Sequence, residues 1–399
     1  MSLIDQVKDK LQRHQERHST TGHRFVLADR VDFMHGAAWD QVAEHSSIFL
    51  SRRYLRALES CAPNNTAQRY AMAYDDQQQP VVIVAAQVAV IGGEQLTQET
   101  GQLTDAIKQK YQERVLVCGN LVSSGLHGVG FAPDLDPTLG WRIVSEALYK
   151  IRQAEKLAGK IDFVMIKDLK KPLLPPSEVL ERYSYRRIQT DPDMVLNLGP
   201  EVRTFDDYLA MLTAKYRGRI KKIIKTIDTG PLTTETLTLN EQLDAQLHAL
   251  YLQVENKSAT RLATLPAGYF LALQQALGED FRCVGIRNQD EVAGFVSVIK
   301  EGDQAIAYYV GLDYQVNEQY PIYFRLLQLV IEVALDWGCQ HISFGRTALE
   351  PKANLGAEPV EEFVWARHRV PVVNYMVRKL FRNVPFDEAP KRSVKKQKQ

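Results

Sequence analysis

Apolar and polar positions recur along the chain with two periods, and the elements they predict alternate between helix and strand. Leu3, Ile4, Val7 and Leu11 fall at helical spacing among charges, which predicts an amphipathic leading helix over Leu3–Arg17. Helical spacing returns at Trp39–Glu44 and Ser51–Leu58, and the strand-like runs Arg69–Tyr74 and Val81–Ile91 flank the polar DDQQQP, the signature of a hairpin. Val115–Cys118 reads as a strand that empties into a glycine-rich stretch ending at Gly130. Over Thr138–Ala158 the residues Leu139, Ile143, Val144, Ala147, Leu148 and Ile151 form a one-sided helical stripe, and the β-rich run IDFVMIKDL follows. The proline-rich KKPLLPPS then reads as a linker, with strands at Tyr185–Ile188 and Met194–Leu198 beyond it.

The second half repeats this logic. Helices are predicted at Asp206–Thr226, Glu241–Lys257 and Tyr269–Leu277, then strands at Phe281–Arg287, Val292–Lys300 and Gln304–Leu312, separated by Asn288-Gln289-Asp290 and Glu301-Gly302-Asp303 turns. The last two strands are almost continuously apolar, which predicts burial on both faces. Pro321–Trp337 is a helix apolar enough to be enclosed, Gly338 supplies a left-handed cap, and HISFGRT makes the next strand. Thr138–Leu169 and Pro321–Thr347 share one order of helix, link and strand, so a duplicated architecture is expected.

A length of 399 residues exceeds what one core usually organises, and 45% hydrophobic with 24% charged residues describes a folding chain. The expected division is a leading helix at 1–24, a first domain at 25–197, a second at 198–380, and a disordered basic tail at 381–399. No signal peptide or membrane anchor is recognised, so the expected location is the cytoplasm. Cys61, Cys118, Cys283 and Cys339 have neither disulfide nor zinc spacing, and no metal site is expected. GxSxG, HExxH, Walker-type and GxGxxG motifs are all missing, which removes the common hydrolase, metalloprotease, NTPase and dinucleotide-binding readings.

The net charge of +1 conceals two basic regions, one at Lys215–Lys225 and one over the last part of the chain from residue 366. On the first, Lys215, Arg217 and Arg219 are candidates for phosphate contacts, against the plainer alternative of a solvated face. Ligands of α/β sheets bind beyond the carboxyl ends of strands, which points to the connection after Gln304–Leu312 and to Gly311, Asp313 and Asn317, where a helix amino end could meet an anion. Arg346 and Lys352, in FGRTALEPKANLGAEP, are placed to fix an anionic donor or substrate; the alternative pairs Arg346 with Glu350 or Glu358. Acid–base candidates are Glu255, His248, Tyr308, Tyr309 and Tyr323, with groove packing as the other role for the tyrosines, Tyr308 foremost as a substrate contact.

Three stretches together resemble the GNAT superfamily, in its FemAB-like branch with two GNAT-like domains in tandem. LTAKYRGRIKKIIK is similar to that branch's K-x-R-x-x-I basic helix, IYFRLLQLVIEVALDWGCQHISFGRT to its long helix and strand, and ALEPKANLGAEP to its K-x-x-x-G loop. CGNLVSSGLHG and DFVMIKDL resemble first-domain segments, so the likeness runs from about Phe25 to Val370. It implies an α/β (α+β) fold in which each domain is a mixed, mostly antiparallel sheet flanked by helices. The implied activity is acyl or aminoacyl transfer to the amine of a small molecule or cell-wall precursor. Its donor is acyl-CoA or aminoacyl-tRNA, with no metal and no DNA partner. Acetyl-CoA enzymes of the superfamily carry R/Q-x-x-G-x-G/A before the long helix, whereas this chain has DYQVNEQYPIYF. A non-catalytic binder of the same fold is the alternative reading, and the leading helix and basic tail would suit peripheral contact with an acidic membrane.

Overall fold

The computed structural model describes residues 19–92, 112–125, 127–258, 262–382, 392 and 394–396. The leading helix read at Leu3–Arg17 lies outside them. The chain forms two compact units, one built on Asn64–Thr190 with Glu362–Pro385, the other on Asp191–Glu361.

The first part of the chain supplies β1 (Arg24–Ala28), α1 (Gly36–Ala43), α2 (Arg52–Ser60), β2 (Thr66–Tyr74), β3 (Pro80–Gly92), β4 (Gln112–Cys118), β5 (Val129–Phe131), α3 (Pro137–Ala154) and β6 (Phe163–Lys170). β2 and β3 are the expected hairpin, and β1 and β4 pair antiparallel on either side of them. α3 starts where its chemistry says it should: Asp136 accepts the Leu139 N–H at 2.8 Å and Pro137 fills the first turn. Its buried stripe of Trp141, Val144 and Leu148 packs on Val84, Leu116 and Val164, so the chain returns over the sheet and β6 lies parallel to β4.

Next come α4 (Leu174–Ser177), flanked by 3-10 turns, and β7 (Arg186–Asn197). The proline-rich stretch is therefore folded and is no linker: Leu174 and Ser177 are buried, and the Ser177 hydroxyl accepts from the Trp365 indole at 2.9 Å. The two short strands predicted here are the single β7. Its polar middle, Gln189–Pro192, alternates exposed and half-buried positions and so breaks the apolar pattern without breaking the strand.

The second unit contains α5 (Phe205–Met211), α6 (Ala214–Asp228), β8 (Leu232–Leu237), α7 (Glu241–Glu255), α8 (Tyr269–Leu277), β9 (Phe281–Asn288), β10 (Glu291–Glu301), β11 (Gln304–Leu312), α9 (Tyr314–Gln319), α10 (Ile322–Asp336), β12 (His341–Ser343) and α11 (Leu349–Ala353). The long basic helix expected at Asp206–Thr226 is two helices. Leu212 and Thr213 are extended, and Thr213 N–H donates to Val394 O at 2.9 Å, so a distant segment breaks it. α10 ends as expected at Gly338, with φ +70°. It is the counterpart of α3, since β11, α10 and β12 again form a crossover with parallel strands. The sequence's duplicated order is thus a duplicated β–α–β unit.

β13 (Glu358–His368) and α12 (Pro371–Arg382) close the described chain. In the first unit the strands run β1-β2-β3-β4-β6-β13, with β5 beside β3; in the second they run β8-β9-β10-β11-β12-β7. Each closing strand, antiparallel to its neighbour, is supplied by the segment that follows the other unit's crossover. The result is an α/β fold of mixed, mostly antiparallel sheets flanked by helices.

α7 lies on β11 at Gly311, where a Cβ would sit 2.8 Å from Tyr251 N and 2.9 Å from Leu250 C. Gly311→Ala is therefore expected to destabilise the fold by about 1–3 kcal/mol through overpacking. Chemical denaturation measures this, and an unchanged midpoint would show that α7 is not seated there.

Candidate functional site

β10 pairs with β11 until Ser297 faces Tyr309 and Val298 faces Ala307, which leaves Tyr308 as the extra residue of a β-bulge. The fully buried Ser297 closes it, its hydroxyl accepting from Tyr309 N–H at 3.0 Å. On the other side, β12 pairs with β11 only from Gln304 to Ile306, although β11 continues to Leu312. A fork opens there. Ala307–Val310 are half-buried along it, which corrects the expectation of two buried faces: β10 has them from Val292 to Ile299, whereas β11 loses its neighbour midway.

Aromatic rings from α7, α8 and β11 stand together at the bulge. The Tyr308 and Tyr269 hydroxyls are 2.6 Å apart, and the Tyr309 ring lies edge-on to Tyr308 at 4.7 Å and to Tyr251 at 5.4 Å. Glu255 is one turn beyond Tyr251 and accepts from the Thr264 hydroxyl at 2.5 Å. Lys257 covers the Tyr314 ring at 3.2 Å, and His248 is held by Leu265 O at 2.9 Å. Gly311 is the point where α7 rests, already described.

The turn from β11 into α10 is closed by side chains. Asp313 accepts from the Gln315 N–H at 2.8 Å and the Val316 N–H at 3.3 Å, and Asn317 accepts from the Tyr323 N–H at 2.9 Å. These caps take up the donors that a helix amino end would offer an anion. Burial pushes the Tyr323 phenol up to about 12, with Tyr314 adding to the shift. It keeps its proton at neutral pH and so can donate a proton but not remove one. Tyr323→Phe is accordingly expected to leave the shape of any pH–rate profile unchanged below pH ~10, and disappearance of an ascending limb would contradict this.

Beyond β12 Gly345 makes a left-handed turn at φ +75°, which glycine adopts freely, and Ala348 is held in the same region at φ +51° with some strain. Lys352, expected on an open loop, is instead drawn inward by α11 and is 3% exposed, because Leu349 and Ala353 of the same short helix pack into the core. Its ammonium donates to Gly345 O at 3.1 Å, the one acceptor it has among the described residues, though it carries three N–H donors. Burial pushes its pKa down to about 8, opposed by the pull of Asp193. Asp193, on β7, accepts from the Ser343 hydroxyl at 2.8 Å and from Gly345 N–H at 3.0 Å. Arg346 is half-buried in the same loop, and Glu350, offered as its partner, pairs with Arg392 at 2.5 Å.

On α6, Tyr216, Ile220 and Ile227 face the core, while Lys215, Arg219, Lys221, Lys222 and Lys225 are exposed on two adjacent ridges, a single face rather than several. None of the five makes an ion pair among the described residues. Arg219 lies over the Phe324 ring at 5.7 Å, and Arg217 reaches back to Leu212 O at 3.5 Å.

The structure therefore brings Tyr308 and Tyr309 together at the bulge, sets Asp313, Asn317 and Tyr323 at the next turn, and holds Lys352 and Arg346 beyond β12. Asp193, Ser343, Ser297 and Tyr269 are additions that sequence reasoning missed. Among the described residues no group of His, Cys, Asp and Glu could hold a metal, and no helix is long and apolar enough to cross a membrane.

A family model described as an acetyltransferase (GNAT) domain matches residues 214–357. No curated protein matches the chain in sequence. Among solved structures it is similar to FemX, with 11% identity and a TM-score of 0.53 over 90% of this chain and 99% of that one. It is also similar to a tandem GNAT protein from the clavulanic acid biosynthesis pathway, with 13% identity and a TM-score of 0.50 over 88% and 99%. Such identities speak to the fold alone: GNAT-like domains in tandem.

Proposed function

We propose that this chain transfers an acyl group to an amine beside the fork of β11 and β12, in the second of its tandem domains, and that the acyl group arrives on a tRNA. The observation that carries the reading is Lys352, a buried ammonium with one acceptor for three donors, at the left-handed turn of Gly345 that follows β12. When an amine attacks an ester carbonyl, a C–N bond forms, negative charge collects on the carbonyl oxygen, and the C–O bond then breaks. Lys352 answers that charge in a site screened from water. The amine's proton ends on the leaving hydroxyl, relayed by Glu255, Tyr308 or Tyr309, while Tyr323, which keeps its own proton, would donate a hydrogen bond to the leaving oxygen. Arg346 would orient an anionic group of the acceptor, a small amine or a cell-wall precursor.

The donor follows from two features. Asp313 and Asn317 already cap the turn where a pyrophosphate would need free N–H groups, and the Asp313 carboxylate repels it. α6 meanwhile offers five exposed cations, and Arg217 behind them, to a phosphate backbone. Acyl-CoA is the second reading, favoured by the acetyltransferase family match. A ligand that binds only the native state raises the melting temperature, so the two are separated by thermal unfolding with charged tRNA or with acetyl-CoA. Stabilisation by charged tRNA alone is expected; stabilisation by acetyl-CoA alone would replace the donor named here.

A further inference from the structure

We infer that α12 is a docking helix for an anionic lipid surface. Most amphipathic helices of globular proteins turn their apolar stripe inward; the first turns of α12 present large apolar side chains to solvent. Asn374 is 6% exposed and anchors the helix to its unit, accepting from His368 N–H at 2.8 Å and donating to Ser184 O at 3.0 Å. Val372, Tyr375 and Met376, at helical spacings of three and four, are 70%, 68% and 47% exposed. Val373 beside them is also exposed, so the large apolar side chains at the start of this helix gather on its solvent side.

What covers that face is argued from charge and length. PVVNYMVRKLFR contains Arg378, Lys379 and Arg382 and no acidic residue, and Leu380 continues the Val372–Met376 spacing in the sequence. A helix of this length spans about 18 Å, short of the ~30 Å hydrocarbon core, so it can lie in a bilayer interface but not cross it. An exposed apolar stripe with a cationic complement on one short helix is the composition of an interfacial anchor, with Tyr375 suited to the headgroup level. A second copy docked through the same face would bring like charges together around a twofold axis. This reading is independent of the donor and of the transfer reaction.

The test is sedimentation of the full chain with phosphatidylcholine vesicles, with and without phosphatidylglycerol. Binding only to the anionic vesicles is expected. Each of Val372→Ser and Met376→Ser should weaken it about tenfold, and Arg378→Gln with Lys379→Gln by a similar factor. The exposed serine replacements should leave the melting temperature unchanged, so weaker binding would not reflect impaired folding. Absence of binding to anionic vesicles, or unchanged binding by the serine variants, would overturn the proposal. So would a dimer that the serine variants dissociate, because it would assign the face to a second copy.

Discussion

Lys352→Met is expected to slow acyl transfer by about two to three orders of magnitude, the effect of losing one oxyanion donor, while the melting temperature stays at or above that of the unaltered chain. The two expectations have one cause. In the unfolded chain a lysine titrates near 10.5, whereas burial holds Lys352 at about 8 in the fold. Below about pH 8 both states bind the proton, and the folded state carries the full cost of a buried charge. Between about 8 and 10.5 the unfolded state binds more protons, so this group's contribution to stability rises with pH across that window. A methionine of similar length removes the cost where it is greatest, at neutral pH and below, while the Asp193 bonds to Ser343 and Gly345 survive. The rate should move the other way: transfer falls as pH rises through about 8, because the deprotonated amine no longer answers an oxyanion. Lys352→Arg, always charged, should abolish that descending limb. A rate that instead rises through the same pH in the unaltered chain and is flat in the arginine variant would make Lys352 a base.

Exchanging Lys215, Arg219 and Lys222 together for glutamine is expected to weaken charged-tRNA binding by about one to two orders of magnitude at low salt. Stability should barely change, since the three side chains are exposed and none has a carboxylate partner among the described residues. The sharper readout is ionic strength. Each phosphate that the variant no longer neutralises should lower the log–log dependence of affinity on salt by about 0.7–0.9, so the triple variant should show a slope smaller by roughly two to three. An equal drop in affinity at every salt concentration would mean that α6 supports the fold and does not touch phosphate. The same variant should leave any response to acetyl-CoA unaltered.

Local periodicity carried much of the fold. Tyr269–Leu277 and Gln304–Leu312 are the elements observed, and the paired helix-to-strand order disclosed the duplication because each crossover is compact in sequence. β13 escaped: Glu361 and Glu362 interrupt its apolar run, and its partner β6 lies far back in the chain. The break at Leu212 escaped for the same reason, being fixed by Val394. At the candidate site, YYVGL advertised itself as hydroxyls within an apolar strand, but the bulge at Tyr308 depends on Ser297 in the neighbouring strand. Lys352 was visible as a cation and not as a buried one. Its setting requires Asp193, which ends the polar stretch QTDPD and reads as a loop residue until Ser343 and Gly345 are brought to its carboxylate. What could not be read was non-local.

The exchanged closing strands have a consequence during synthesis. β6 ends at Lys170 and its antiparallel neighbour begins at Glu358. At ribosomal speeds of about 5–20 residues per second, the roughly 190 residues between them take on the order of 10–40 s to emerge. For that interval the first sheet is a nascent body with one long hydrogen-bonding edge exposed, the condition that invites mispairing with neighbouring chains. That edge closes only when Glu358–His368 has emerged and paired with β6.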